Sequence, residues 1–436
     1  MGQGDGPTMA SRSYGGIRMT IDRDAWMVRI RSAVEELRER LLAASHDIHV
    51  NPELAFNEHR ASARLVDELE RDGYAVERGV GGLPTAFRAT LHGGSPGPTL
   101  AILAEYDALP EIGHACGHNI IAATALGAGL ALARAGTPFP GTISIVGTPA
   151  EEGGGGKILL AEAGVFEGVD ASFMLHPSRT NMVRRGSLAN SRVDIVFHGK
   201  ASHAAGAPDM GINALEAVIQ TFVNVNARRL QMRADARVHG IVTDGGQAVN
   251  IIPARAAAKF SVRAKDRAYQ RRLIQMLRQA AEAGALSTGA RLEWTETRGY
   301  DNMVTNPTIA DIFAEHMQST GRDVLEPEPG ERMGSTDMGD VSQIMPAVHA
   351  YFGIAPDGVA NHTIEFTAAA GSPEGDRAVI DGAVSMALTA ADLFAQPDLV
   401  ARAKSEFRAQ VERGEVAGFD AWREAGSHYA PAPRPA

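Results

Sequence analysis

Cysteine occurs once in the 436 residues, which excludes any intrachain disulfide. Basic charge is in deficit: 42 Lys and Arg stand against 52 Asp and Glu, a net charge of −10. A nucleic-acid binder usually carries a basic face, so that class is disfavoured. Aromatics make up only 6% of the chain. No unbroken run of ~18 apolar residues exists, so no membrane-spanning helix is expected. The first residues, MGQGDGPTMASRSYGG, lack an apolar stretch behind a basic start, so no secretory signal is expected. The myristoylation pattern fails because Gly6 stands where Ser or Thr is needed. The expectation is a soluble, cytoplasmic protein with no nucleic-acid or membrane partner.

Glycine, by contrast, is plentiful at 47 residues, and 44% of the chain is hydrophobic. That composition suits an α/β enzyme with many tight loops and a large core. The length alone suggests two or three domains. Residues 1–16 and 430–436 read as loose tails. Trp26, Ile30, Val34, Leu37 and Leu41 recur every three or four residues, predicting a helix from about Asp24 to Ala44. A second helical stretch follows Pro52 and stops at Gly73. Thr99–Ala104 and Thr142–Gly147 are short apolar runs of buried-strand type, with a small-residue helix from about Ile120 to Ala135 between them. Strand, loop, helix, strand is the rhythm of a parallel sheet, whose ligands sit at the carboxyl ends of its strands.

Near Arg192 the texture changes. Strands at Arg192–His198, Val238–Thr243, Ala256–Ala264 and Arg291–Thr297 alternate with helices at Gly211–Arg229 and Asp266–Ala285. The order β-α-β-β-α-β is that of a ferredoxin-like unit. The α/β texture returns after about Thr305 and ends in a helix at Gly375–Phe394. The expected organisation is therefore a discontinuous α/β domain, 1–190 and 303–436, interrupted by a smaller unit at 191–302.

Side chains able to bind metal gather at four places. Glu105-Tyr-Asp107 follows a predicted strand and leads into Gly113-His-Ala-Cys116-Gly-His118-Asn119. Cys116 and His118 suit a transition metal, although a lone cysteine is more often a small buried side chain. Glu151 and Glu152 sit on a glycine-rich turn, again after a strand. Adjacent carboxylates are costly unless a cation lies beside them. One can ligate a metal while the other serves as general base. A phosphate loop is disfavoured, because Lys157 lies only four residues after Gly153 and is followed by Ile158. His176 and His362 each follow a strand-like or glycine-rich segment; singly, such a histidine is more often structural than a ligand. Jointly the four places describe a metal-centred active site.

The strings HVNPEL (49–54), EYDALP (105–110), GHACGHN (113–119), GTPAEEGGGGK (147–157), MLHP (174–177), GKASHAA (199–205), VNIIP (249–253) and GSTDMGDVS (334–342) run in order along the chain. The sequence resembles the M20 metallopeptidase superfamily, in its amidohydrolase branch. The resemblance covers nearly the whole chain after about residue 25. It implies a metal-binding α/β domain interrupted by a ferredoxin-like lid through which the protein dimerises. Cys116, His118, Glu152, His176 and His362 are implied as ligands of a divalent transition metal, two per subunit. Manganese or zinc stand ahead of cobalt or nickel. Glu151 is implied as general base, and Asp107 as the group orienting a ligand. His203, from the lid, would stabilise an oxyanion in the partner's site. Asn250 would hold substrate, and Ser335 falls in the family's substrate loop. Two positions depart from the branch: Asn119 replaces a common Asp, and Glu105 replaces Asp or His.

Other residues read more blandly. His46 and His49 belong to a helix end and turn, and His114 to a supporting position. Arg184 and Arg185 read as a hinge pair. Arg255 and Arg263 can grip a substrate carboxylate or serve as strand surface. The implied reaction is hydrolysis of the amide of an N-acyl or N-aminoacyl amino acid, or of an aminobenzoyl-glutamate-like compound. The implied substrate is thus small and carboxylate-bearing. Two alternatives stand beside it: hydrolytic removal of an amino group from an activated aromatic amine, and a non-catalytic dimeric binding protein.

Overall fold

In the computed structural model, residues 22–424 are described, except 137, 329 and 332. Both tails expected from the sequence lie outside them. The strands are β1 (Ala75–Arg78), β2 (Phe87–His92), β3 (Ser95–Ala104), β4 (Pro140–Gly147), β5 (Ala171–Ser178), β6 (Ala189–His198), β7 (Arg237–Asp244), β8 (Arg255–Ala264), β9 (Arg291–Arg298) and β10 (Ala347–Gly353). They form two sheets, one of six strands in the order β1-β2-β4-β3-β5-β10 and one of four in the order β7-β8-β6-β9.

The larger sheet is parallel from β4 through β10 and antiparallel at its β1-β2-β4 end. Its inner strands bury both faces, as parallel strands do. Leu100 and Ile102 of β3 face one core, while Ala101 and Leu103 face another. The first core is closed by the helices Arg23–Val50, His118–Arg134 and Pro373–Ala395, and the second includes Ile158, Leu160 and Ala161 of the helix Gly156–Glu162. Thus the chain leaves β3 for a helix on one face and leaves β4 for a helix on the other. Adjacent parallel strands whose connections part in this way open a crevice at their carboxyl ends, the usual place for a ligand.

The four-stranded sheet is antiparallel throughout. Val193, Ile195 and Phe197 of β6 face the helices Ala214–Ala227 and Arg267–Thr288, giving this sheet its own core. The order β-α-β-β-α-β matches the ferredoxin-like expectation.

Element ends differ from expectation where tertiary packing extends a pattern. The first helix runs to Val50, six residues past Ala44, because Ile48 continues the buried stripe. It stops there because Pro52 disfavours helix just before it. His46 and His49 therefore lie in the helix, not in a turn. The helix Pro373–Ala395 has the length and hydropathy of a membrane span, yet 89% of its most apolar window is buried inside the fold. It is a core helix.

Candidate active site

The crevice collects the sequence motifs. After β3 the chain turns inward, and Glu105 and Asp107 are buried. Asp107 Oδ1 lies 3.0 Å from His118 Nδ1, so the other ring nitrogen, Nε2, faces the crevice. Such a carboxylate fixes both the ring's orientation and its tautomer. The other Asp107 oxygen accepts from the Glu152 backbone N–H at 2.9 Å. One side chain thus orients two candidate ligands. His118 opens the helix His118–Arg134, and Gly117 before it has φ +74°. A Cβ at Gly117 would lie 2.8 Å from Pro177 Cγ. Only glycine fits both the backbone and the space.

After β4, Ala150 takes φ +60°, and Glu151 and Glu152 follow at once. Gly156 lets the loop close: a Cβ there would sit 1.8 Å from the Pro149 carbonyl oxygen. Glu151 is 8% exposed. Its backbone carbonyl accepts from Tyr300 Oη at 2.6 Å. Burial, then the negative charges of Glu152, Glu105 and Asp337, push the Glu151 carboxyl well above its ordinary range. Such surroundings raise the proton affinity of the carboxylate, which strengthens it as a base.

Lys157, read above only as a failed phosphate loop, is fully buried. Its Nζ donates to Glu105 Oε1 at 2.5 Å and to Asp337 Oδ1 at 2.6 Å. Its backbone N–H donates to Asp337 Oδ2 at 3.0 Å. Burial alone would discharge the ammonium, but the Asp337 and Glu105 carboxylates outweigh it and hold Lys157 protonated. Burial opposes ionisation of Glu105, but the charges of Lys157 and His118 and the Lys157 hydrogen bond hold its carboxyl low. The departure at Glu105 is thus matched by a buried lysine. Neither signal was legible singly, since residues 105, 157 and 337 meet only in the fold.

His176 lies near the carboxyl end of β5, and its Nδ1 lies 2.6 Å from the Pro177 carbonyl oxygen. Burial lowers its pKa to about 4, the state in which imidazole ligates a metal. His362 is exposed, has φ +65°, and brings Nε2 to 3.6 Å from Glu152 Oε1. Cys116 is buried, which pushes its thiol up. One donor atom each from Cys116, His118 and His176 fall within 4.8 Å of one another. The same holds for Cys116, Glu152 and His362, and for His118, Glu151 and Glu152. Among the described residues, Glu105 Oε2 and His118 Nε2, which face each other at 3.3 Å, and Glu152 Oε1 are buried and make no hydrogen bond. Unpaired buried polar atoms are costly, and a cation would satisfy them. The soft and borderline donor set fits a transition metal, and the overlapping triads fit two.

The remaining expected site residues lie elsewhere. His203 and Asn250 are exposed and adjoin each other: His203 pairs with Ile251, and the Ala204 N–H donates to the Asn250 carbonyl. His203 Nδ1 accepts from the N–H groups of Ala205 (3.3 Å) and Gly206 (3.0 Å), leaving Nε2 as a donor. Among the described residues, no hydrogen bond or ion pair joins His203 or Asn250 to the metal-ligand cluster. Arg263 is half-buried in β8 and shares the strand face opposite Phe260 and Val262, which face the helices. Ser335 is half-buried with an unpaired Oγ, two residues before Asp337. Asn119 is not a ligand here; its amide donates to Ser45 Oγ (3.0 Å) and the Ala370 carbonyl (3.1 Å), tying three helices together.

Fold and crevice together place a candidate metal-ligand cluster at a sheet's carboxyl edge. Comparison with known proteins gives the family. Residues 101–380 match the model of Peptidase family M20/M25/M40, and the chain belongs to that family. It is a metal-dependent hydrolase. It is 37% identical to the mouse Xaa-Arg dipeptidase over 94% of this chain and 99% of that protein. It is 31% identical to one of the polypeptides of the Escherichia coli K12 p-aminobenzoyl-glutamate hydrolase, over 67% of this chain and 65% of that protein. Among solved structures, it resembles a dinuclear metal-binding M20 peptidase from Bacillus subtilis (TM-score 0.68, 24% identity, 82% of this chain and 98% of the other). The fold is shared with an aminobenzoyl-glutamate utilization protein from Klebsiella pneumoniae (TM-score 0.59, 22% identity, 84% and 98%).

Proposed function

We propose that the protein hydrolyses the amide bond of a small dipeptide-like substrate whose leaving group is an amino acid. The observation that carries this reading is the set of overlapping donor triads, with Glu151 as a buried carboxylate of raised pKa inside one of them. The relatives named above, a dipeptidase and an aminobenzoyl-glutamate hydrolase, support an amide whose leaving side bears a carboxylate. Cys116, His118, His176, Glu152 and His362 would hold two divalent ions. Bound there, such ions supply Lewis acidity toward a water and toward the substrate carbonyl.

The chain's own groups do the rest. Glu151 takes a proton from the attacking water and returns it to the leaving nitrogen. Asp107 keeps His118 and the Glu152 backbone in place. Lys157 holds Glu105 and Asp337, so the loop at Gly334–Asp337 stays against the crevice. His203, with Nε2 free to donate, would reach the oxyanion of a partner subunit's substrate, and Asn250 beside it would bind that substrate. Arg263 and Ser335 are the remaining candidates for contact with the substrate carboxylate. The dimer this needs would form through the four-stranded unit. Its edge strand β7 leaves Ile241 exposed, and its helix Ala214–Ala227 leaves Ile219 and Val223 exposed.

A panel test decides the substrate class. Metal-loaded protein is incubated with dipeptides of varied C-terminal residue, N-acyl amino acids, p-aminobenzoyl-glutamate and activated aryl amines. Release of an amino acid from the first three sets supports the proposal. Ammonia release from the aryl amines alone would overturn it.

A further inference from the structure

Glu58 is 0% exposed, yet it belongs to none of the motifs above. It stands at the start of the helix His59–Arg71, where a charged residue ordinarily faces water. Its Oε1 instead accepts from two backbone N–H groups, those of Phe56 and Ala150, both at 2.9 Å. Its Oε2 accepts from Thr85 Oγ1 at 2.8 Å. Phe56 and Ala150 are two of the four described non-glycine residues with positive φ, at +63° and +60°. L-residues avoid this region because Cβ crowds the following carbonyl. Such backbone persists only where the surroundings hold it.

Ala150 immediately precedes Glu151 and Glu152. Its φ sets the direction in which both side chains leave the end of β4. The Phe56 ring adds a second restraint: a Cβ at Gly154 would meet the Ala150 Cβ at 2.4 Å and Phe56 Cε2 at 2.9 Å. Phe56, Ala150 and Gly154 therefore pack as one unit, with the Glu58 carboxyl behind it.

We infer that Glu58 is a positioning residue for the active site: its carboxyl oxygen holds the left-handed backbone of Ala150 and so aims Glu151 and Glu152 into the metal crevice. This inference rests on the metal-centre reading above. It makes a chemical demand that a merely buried acid would not. What matters is an acceptor oxygen near the two N–H groups, not a negative charge. Glutamine supplies that oxygen, and its amide N–H can meet Thr85 Oγ1. Methionine fills similar space and supplies no such acceptor. Glycine at position 150 removes the Cβ crowding and needs less holding.

The test adds cobalt(II) stepwise to metal-free protein and follows the visible absorption, with kcat and KM for the best panel substrate measured alongside. In Glu58→Met, the cobalt equivalent that engages Glu152 is expected to bind at least about tenfold more weakly, with kcat down about tenfold or more and KM within about twofold. Glu58→Gln is expected to match the wild type in both readouts. The double variant Glu58→Met, Ala150→Gly is expected to recover most of the loss. Should Glu58→Met not fold, Glu58→Asp takes its place, since it keeps the charge but withdraws the oxygen; it is expected to show the same losses. Cobalt binding and kcat unchanged in Glu58→Met, or in Glu58→Asp where that stands in, would overturn the inference. So would a double variant no better than Glu58→Met. If the wild type itself takes up no cobalt, the metal-centre reading falls and this inference falls with it. A wild type that binds cobalt beside an unchanged Glu58→Met removes this inference alone.

Discussion

At the scale of single residues, the site is a problem in keeping like charges together. Glu105, Asp107, Glu151, Glu152 and Asp337 crowd one crevice, and within it Lys157 is paired with two of them. Replacing Lys157 with Met would leave Glu105 and Asp337 buried without their cation. We expect a loss of about 3–5 kcal/mol of folding stability, measured by urea unfolding. A loss below about 1 kcal/mol would show that the two carboxylates are not held by this lysine. Glu58 supplies a pH test. Burial, with the nearby Asp107 charge adding to it, pushes its carboxyl from an ordinary 4.5 up to about 7. In that window the folded chain keeps a proton that the unfolded chain has released. Stability from this group is thus highest below about pH 4.5 and falls as pH rises toward 7, by roughly 3 kcal/mol in all. Glu58→Gln cannot titrate, so its stability relative to the wild type should rise across that interval; parallel curves would refute the shift. Apart from His362, the residues that gather in the donor triads lie in the motif strings of the sequence. Glu58 and Lys157 were not legible as buried, because nothing local separates a buried acid or lysine from a solvated one. Apart from the Phe56 N–H beside Glu58, their partners are 27 to 180 residues away in the chain.

At the scale of elements, the carboxyl ends of β3, β4 and β5, with the segment after β10, deliver one part of the cluster each. The turn before His118 combines a positive φ with a close neighbour. Gly117→Ala would meet both a positive φ and the Pro177 ring. The backbone conformation alone costs about 1–2 kcal/mol for an L-residue. We expect a melting point lowered by several degrees together with weakened metal uptake, and an unchanged elemental analysis would count against the role given to this turn. Apolar periodicity revealed most of these elements, because β3 and β4 read as short buried runs and the helices as regular stripes. Their ends were less legible. The first helix continues to Val50 because Ile48 finds a place in the core, and periodicity read over a short window does not register that contact. The short β1 carries little apolar pattern and has no buried residue, and β2 alternates over only six residues, with Phe87 and Ala89 buried.

At the scale of the whole molecule, the six-stranded sheet holds the donor triads, and the four-stranded unit holds His203 and Asn250. The change of texture near Arg192 made the second unit visible from sequence. Among the described residues, no hydrogen bond or ion pair joins the two groups. If a partner subunit joins them, mixing His203→Ala protein with Glu151→Gln protein should restore activity that neither variant has alone. Mixtures as inactive as their components would argue against the shared site. The central claim remains that Glu151 is the proton carrier beside a metal centre built by Cys116, His118, Glu152, His176 and His362. The most direct measurement is kcat of Glu151→Gln on an amide substrate, with metal content determined on the same sample. A fall of about 10²–10⁴-fold at wild-type metal content is the expected result. Retained kcat at full metal loading would contradict the assignment.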